Sequence, residues 1–194
     1  MDLPGFFENE FKEHGQVLTA TKIALAEPFL AFVNTCTSAL KNGNKLLFFG
    51  NGGSAADCQH LATELTVRYK TDRAPIAAIA LTTDTSALTA IGNDLGFDQM
   101  FARQIRAIGK PGDVAIGIST SGESDNVLEA LRAARETGLV AAGLSGRGGG
   151  RMTALADPLL IVPSETTARI QEMHILLGQM LCGALEIELG LVAP

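Results

Sequence analysis

A short apolar run, Lys45-Leu46-Leu47-Phe48-Phe49, empties into Gly50-Asn51-Gly52-Gly53-Ser54 and then into a helical pattern that reaches Arg68. Apolar throughout and bounded by turn residues, the run predicts a strand buried on both faces of a parallel sheet. The glycines let the backbone turn sharply and leave its N–H groups bare. Ser54 is placed as the N-cap, so unpaired amides and the positive end of the helix dipole face the sheet edge. Such a place suits an anion.

On the helix that follows, Asp57, His60, Glu64 and Arg68 recur at spacings of three, four and four. Those spacings put all four on one face, with Ala55, Ala56, Leu61, Ala62, Leu65 and Val67 between them. A solvated outer face is the commoner origin of such a stripe. Here it begins beside a phosphate-type loop, and His60 and Glu64 have the i, i+4 spacing that lets two side chains share one metal, so a functional face is preferred.

The 194 residues suit one domain spanning 1–194. A formal charge of −6 argues against a general nucleic-acid binder. No apolar run approaches the roughly 20 residues that span a bilayer, and the opening Met1-Asp2-Leu3-Pro4 lacks a basic-then-apolar signal region. A cytoplasmic protein with no membrane and no direct nucleic-acid partner is expected. Cys36, Cys58 and Cys182, odd in number and set among apolar residues, read as reduced core residues. Cys58 has no basic neighbour to activate it as a nucleophile.

From Phe6 to about Leu40 the apolar residues follow helical spacing, with Pro28 dividing two helices. This N-terminal helical arm, 1–43, has little sheet to cover, so part of its apolar surface is expected to pack against another subunit. In the remaining core, 44–194, further strands are predicted at 75–81, 113–118, 140–144 and 159–162, with a short helix capped by Asp84 or Thr85 and running to Ile91 before Gly92-Asn93-Asp94, and another over 125–137. Strands alternating with helices imply an α/β fold: three α/β/α layers around a five-stranded parallel sheet with right-handed crossovers.

Ligands of such sheets sit at the carboxyl ends of the strands near the switch point. There Asn51-Gly52-Gly53-Ser54 meets a second loop, Ser119-Thr120-Ser121-Gly122-Glu123-Ser124, whose hydroxyls, glycine and following helix end can bind a phosphate monoester without charge. Neither a dinucleotide fingerprint nor a P-loop is present. Gly146 to Gly150, with Arg147 and Arg151, reads as a mobile surface loop. The final helix, 167–189, carries Arg169, Gln171, Glu172, His174 and Gln179 among apolar residues. A lone His or Gln on such a helix is more often a satisfied core residue than a ligand. Several together shift that balance: Gln171 and Gln179, two turns apart, can point at one site, and His174 can reach it too.

The G-N-G-G-S loop, the S-T-S-G-x-S loop, Ala90-Ile91-Gly92-Asn93-Asp94 and the terminal R-I-Q-E-M-H together resemble the sugar isomerase (SIS) domain superfamily and, within it, the phosphoheptose isomerase family. The resemblance covers nearly the whole chain and implies a flavodoxin-like SIS fold. It also implies a zinc-dependent homotetramer that turns sedoheptulose 7-phosphate into glycero-manno-heptose 7-phosphate, the first step toward the heptoses of lipopolysaccharide or related glycans. Carried over, it implies substrate contacts at Asn51, Gly52, Gly53, Glu64, Asn93, Asp94, Ser119, Thr120, Ser121, Ser124 and Gln171. Zinc would be held by His60, Glu64, Gln171 and the residue at 179.

That family has histidine eight residues after the glutamine, where this chain has Gln179. A carboxamide exchanges no proton near neutral pH. Glu64 then serves as the base for an enediol isomerisation, Asp57 or a water completes the oxygen relay, and Gln179 offers its carbonyl oxygen to the metal. The alternatives are a non-catalytic SIS homotetramer that binds the replication initiator, as one similar protein does, and a phosphosugar sensor.

Overall fold

A computed structural model describes residues 2–193; Met1 and Pro194, the two ends of the predicted span, lie outside them. Three apolar strands, β1 (Leu46–Gly50), β3 (Val114–Ser119) and β4 (Val140–Ser145), form the middle of a parallel sheet whose edges are the shorter β2 (Ala78–Ala80) and β5 (Leu159–Ile161). The order is β2-β1-β3-β4-β5, with Leu46 opposite Ala78 on one side and Val114 on the other. Most strand ends fall within a residue of their predicted positions. The exception is β2, predicted over 75–81: Pro75 has no N–H to give, and the Ile76 N–H bonds to the Leu65 carbonyl instead of to the sheet.

Side chains alternate across a strand, so β1 feeds two cores. Leu46 and Phe48 pack under α2 (Ala26–Lys41), α3 (Gly53–Thr66) and α7 (Thr167–Glu188). Leu47 and Phe49 pack under α5 (Met100–Ile108) and α6 (Asp125–Glu136). These are the three layers anticipated from the strand-helix alternation, and the three cysteines are free and buried within them. α5 and the 3-10 turn Phe97–Gln99 before it were not foreseen. Phe101, Ala102 and Ile105 of α5 are buried, and Phe101, Ile105 and Ile108 recur at helical spacing, a signal present in the sequence but short. α4 (Thr85–Asp94), capped by Asp84, runs past its predicted end at Ile91 through Gly92-Asn93-Asp94.

The N-terminal arm is α1 (Leu3–Ala24) followed by α2, and the break falls at Leu25, not Pro28. Pro28 sits in the first turn of α2, where its missing N–H has no helical partner to serve. α1 buries only Val17 and Thr21; Leu3 is 81%, Phe7 58% and Phe11 64% exposed. Between the arm and α7 lies an apolar cleft of about 370 Å³ lined by Leu18, Leu25, Phe29, Leu177 and Met180. No single helix among the described residues is long and apolar enough to cross a membrane.

Candidate active site

The strand order reverses between β1 and β3, so the loops that follow them open onto one edge of the sheet. The first loop turns at Gly52, which has φ +56° and is itself the N-cap of α3. Ser54, expected to cap, is instead buried in the first turn, because the turn needs a left-handed residue that serine avoids. Asn51 exchanges a pair of amide hydrogen bonds, each 2.8 Å, with Asn126 at the start of α6. Asn126 is 2% exposed and ties the first loop to the helix that follows the second. It escaped the sequence reading, since an asparagine at a helix start is ordinarily a local cap.

In the second loop Ser119 is buried and its hydroxyl lies 3.0 Å from that of Ser124, while the Ser121 hydroxyl accepts the Glu123 N–H. Thr120 is half-buried beside them. Gly122 has φ +68°, and a Cβ there would lie 2.0 Å from the Gly149 carbonyl oxygen, so the 146–150 segment packs tightly on the loop. Arg151 braces the contact from outside, donating to both carboxylate oxygens and the carbonyl of Glu123 and to Asp125. Those bonds hold the Glu123 carboxyl below its usual range. Arg147 donates to the Glu165 carbonyl and Thr167. The segment expected to be mobile is therefore tied down, and its arginines are engaged with protein. Hydroxyls and the N–H groups at a helix start are donors of the kind a phosphate accepts from.

α3 carries Asp57, His60 and Glu64 as predicted, but it ends at Thr66 and leaves Arg68 exposed beyond it, off the stripe. Burial pushes the Asp57 carboxyl up, and His60 partly offsets this. His60 Nε2 lies 3.3 Å from Glu64 Oε1 and 2.6 Å from the Gln179 side-chain nitrogen. Glu64 Oε2 is buried with no hydrogen-bond partner. Gln171 meets the other end of α3: a Cβ on Gly53 would lie 2.5 Å from its Nε2. Because α3 and α7 run side by side, Gln171 meets α3 at its start and Gln179 meets it at His60, about two turns further along.

His174 turns away from the site. Its Nε2 donates to the Ser145 carbonyl at 3.1 Å inside the core, and burial lowers its pKa to about 4. Cys58 is buried, and desolvation raises its thiol out of reach of activation. Asn93 and Asp94 bond to each other at 2.6 Å and are exposed on α4.

The residues around His60 fit a zinc ion in part. Among the described residues no three His, Cys, Asp or Glu side chains meet as a metal cluster; only His60 and Glu64 of the four candidates are of those types. The local bonding nevertheless favours a cation. One ring nitrogen cannot both donate to the Glu64 carboxylate and accept from the Gln179 amide, and Glu64 Oε2 has no proton donor at all. An imidazole, a carboxylate and amide oxygens are ligands that zinc accepts.

Residues 11–146 match the family described as SIS domain. The phosphoheptose isomerase of Paramagnetospirillum magneticum is 59% identical over 186 residues, 96% of this chain and 97% of that protein. Phosphoheptose isomerase 1 of Campylobacter jejuni is 55% identical over 175 residues, 90% of this chain and 94% of its own length. The solved structure of phosphoheptose isomerase GmhA from Neisseria gonorrhoeae superposes with a TM-score of 0.90 at 46% identity, covering 95% of this chain and 99% of that one. Sheet order, paired loops and helical arm agree with that kinship, and this chain belongs to the SIS domain family, among the phosphoheptose isomerases.

Proposed function

We propose that this chain interconverts sedoheptulose 7-phosphate and glycero-manno-heptose 7-phosphate in heptose biosynthesis, with Glu64 as the base. The observation that carries the assignment is the Glu64 carboxylate itself, four-fifths buried, with one oxygen on His60 and the other unpartnered. It stands on the helix that leaves the first loop at the switch point. The Ser119, Thr120, Ser121 and Ser124 hydroxyls, with the α6 amides, hold the phosphate. Asn51, Gly52, Gly53 and Gln171 line the first loop along the sugar, and Asn93 and Asp94 contribute from α4.

Glu64 takes the proton from C1 of the ketose, leaving an enediol, and returns it to C2 of the aldose. The C1 hydroxyl proton passes to the C2 oxygen through water or Asp57, whose raised pKa suits it to carry a proton. His60, Glu64, Gln171 and Gln179 would hold a zinc ion, whose chemistry is Lewis-acid polarisation of the carbonyl. The Gln179 amide orients His60 but moves no proton. The non-catalytic alternatives, an initiator-binding adaptor or a phosphosugar sensor, leave the Glu64 carboxylate without a task. The exposed apolar residues of α1 support assembly as a homotetramer.

Incubation with sedoheptulose 7-phosphate tests the proposal. Aldose product is expected from the parent, and Glu64→Gln should lower kcat by about 10²-fold or more. No product from the parent, with or without added zinc, would overturn the assignment.

A further inference from the structure

α3 ends with no glycine stop and no basic residue in its last turn, so its final carbonyls need donors from elsewhere. The chain folds back to supply one. The Arg73 side chain, 1% exposed, donates to the Glu64 carbonyl at 2.7 Å and the Leu65 carbonyl at 2.8 Å, with longer bonds of 3.2 Å to Val67 and Ala74. Its Nε donates at 2.8 Å to Glu186 Oε1, an oxygen that also accepts the Tyr69 N–H at 3.1 Å. Glu186 is on α7, two turns beyond Gln179 and on the same face. Between them Cys182 lies 3.9 Å from the Leu61 carbonyl of α3. One guanidinium thus grips the end of the helix carrying Glu64 and, through Glu186, the helix carrying Gln179.

Stability alone does not call for this pair. Buried ion pairs can often be replaced by apolar residues of similar volume at no loss. What the pair has that apolar packing lacks is direction: a planar fork of donors reaching several acceptors in a set geometry, which lysine cannot copy. We propose that Arg73 is a positioning residue for the isomerisation, which caps α3 and ties it to Glu186, setting where the Glu64 carboxylate stands relative to Gln179 and the substrate carbons. It touches neither substrate nor metal. The inference rests on Glu64 being the base. The phosphate loops lie at the other end of α3, so substrate binding is independent of the clamp.

The test is the double variant Arg73→Met with Glu186→Leu, read by thermal midpoint, KM and kcat. A folded protein with KM close to the parent's is expected, its midpoint lowered because the α3 carbonyls and the Tyr69 N–H lose their partners, and kcat lower by about 10- to 100-fold, the cost of a base displaced by about 1 Å. Parent-level kcat in the folded double variant overturns the proposal. Should that variant not fold, Arg73→Lys decides: kcat falls about tenfold at unchanged KM, whereas parent-level kcat, or a loss confined to KM, overturns it. Glu64→Gln is measured in parallel. Full activity there overturns the assignment of the base, while an inactive Glu64→Gln beside fully active Arg73 variants overturns the clamp alone.

Discussion

Gln179 is the residue at which this chain departs from the resemblance that otherwise covers it, and its contact with His60 at 2.6 Å shows what the substitution does locally. The amide meets the same ring nitrogen, Nε2, that Glu64 approaches, and offers a metal only a carbonyl oxygen. Imidazole is the better zinc ligand. Gln179→His should therefore hold zinc about tenfold more tightly, measured by competition with a chelator; unchanged retention would remove position 179 from the metal site. His174, three residues beyond Gln171, illustrates the opposite case of a polar residue on α7 that serves the core. Its ring titrates near 6.5 in the unfolded chain and only at about 4 in the folded one. The unfolded state therefore binds the proton first, so stability is full above pH 6.5 and falls as the pH drops toward 4, by roughly 3 kcal/mol from this ring. Urea unfolding at several pH values should show a shallower acid slope in His174→Gln than in the parent, and parallel slopes would exonerate the ring.

At the scale of elements, the site depends on two loops being held at a set separation. The Asn51–Asn126 amide pair spans them, and Gly122 against the Gly149 carbonyl, braced by Arg151, fixes the second loop to the 146–150 segment. Asn126→Leu keeps the volume and leaves the Asn51 amide without its partner. The expected cost is about 1–3 kcal/mol in stability, with KM raised and kcat near the parent's, since Glu64 lies elsewhere on α3. Steady-state kinetics separate the two, and a fall in kcat at constant KM would contradict this role. Loop identity was legible in the sequence because glycine and hydroxyl residues following apolar strands are local signals. The pairing that spaces the loops was not, because Asn51 and Asn126 are 75 positions apart. The same reason hid the division of labour on α7, where Gln171, His174 and Gln179 face the first loop, the core and His60.

For the whole molecule, the arm is the part least accounted for by one copy of the chain. α1 buries two residues and leaves Leu3, Phe6, Phe7, Phe11 and Ile23 exposed by half or more. A row of large apolar side chains in water marks a contact surface. If it closes a homotetramer, Phe7→Glu with Phe11→Glu should dissociate the assembly while leaving the helical content unchanged, as sedimentation and circular dichroism would show. An assembly of parent size in that variant would place the contacts elsewhere.

Local chemistry was enough to specify the α/β architecture, the five strands, the two loops at the switch point and the Asp57-His60-Glu64 face, because each rests on periodicity or on a turn residue within a few positions of its neighbours. Chain folding settled the rest. α3 stops at Thr66 and drops Arg68, since Arg73 and Ile76 come back to satisfy its last carbonyls. Gly52 rather than Ser54 caps the helix, since the turn demands a positive φ. Gln179 reaches His60, and His174 does not, because α7 lies along α3 with one face on the site and another on the sheet. These outcomes depend on which distant backbone groups need partners once the layers pack, and that becomes defined only when the chain is folded.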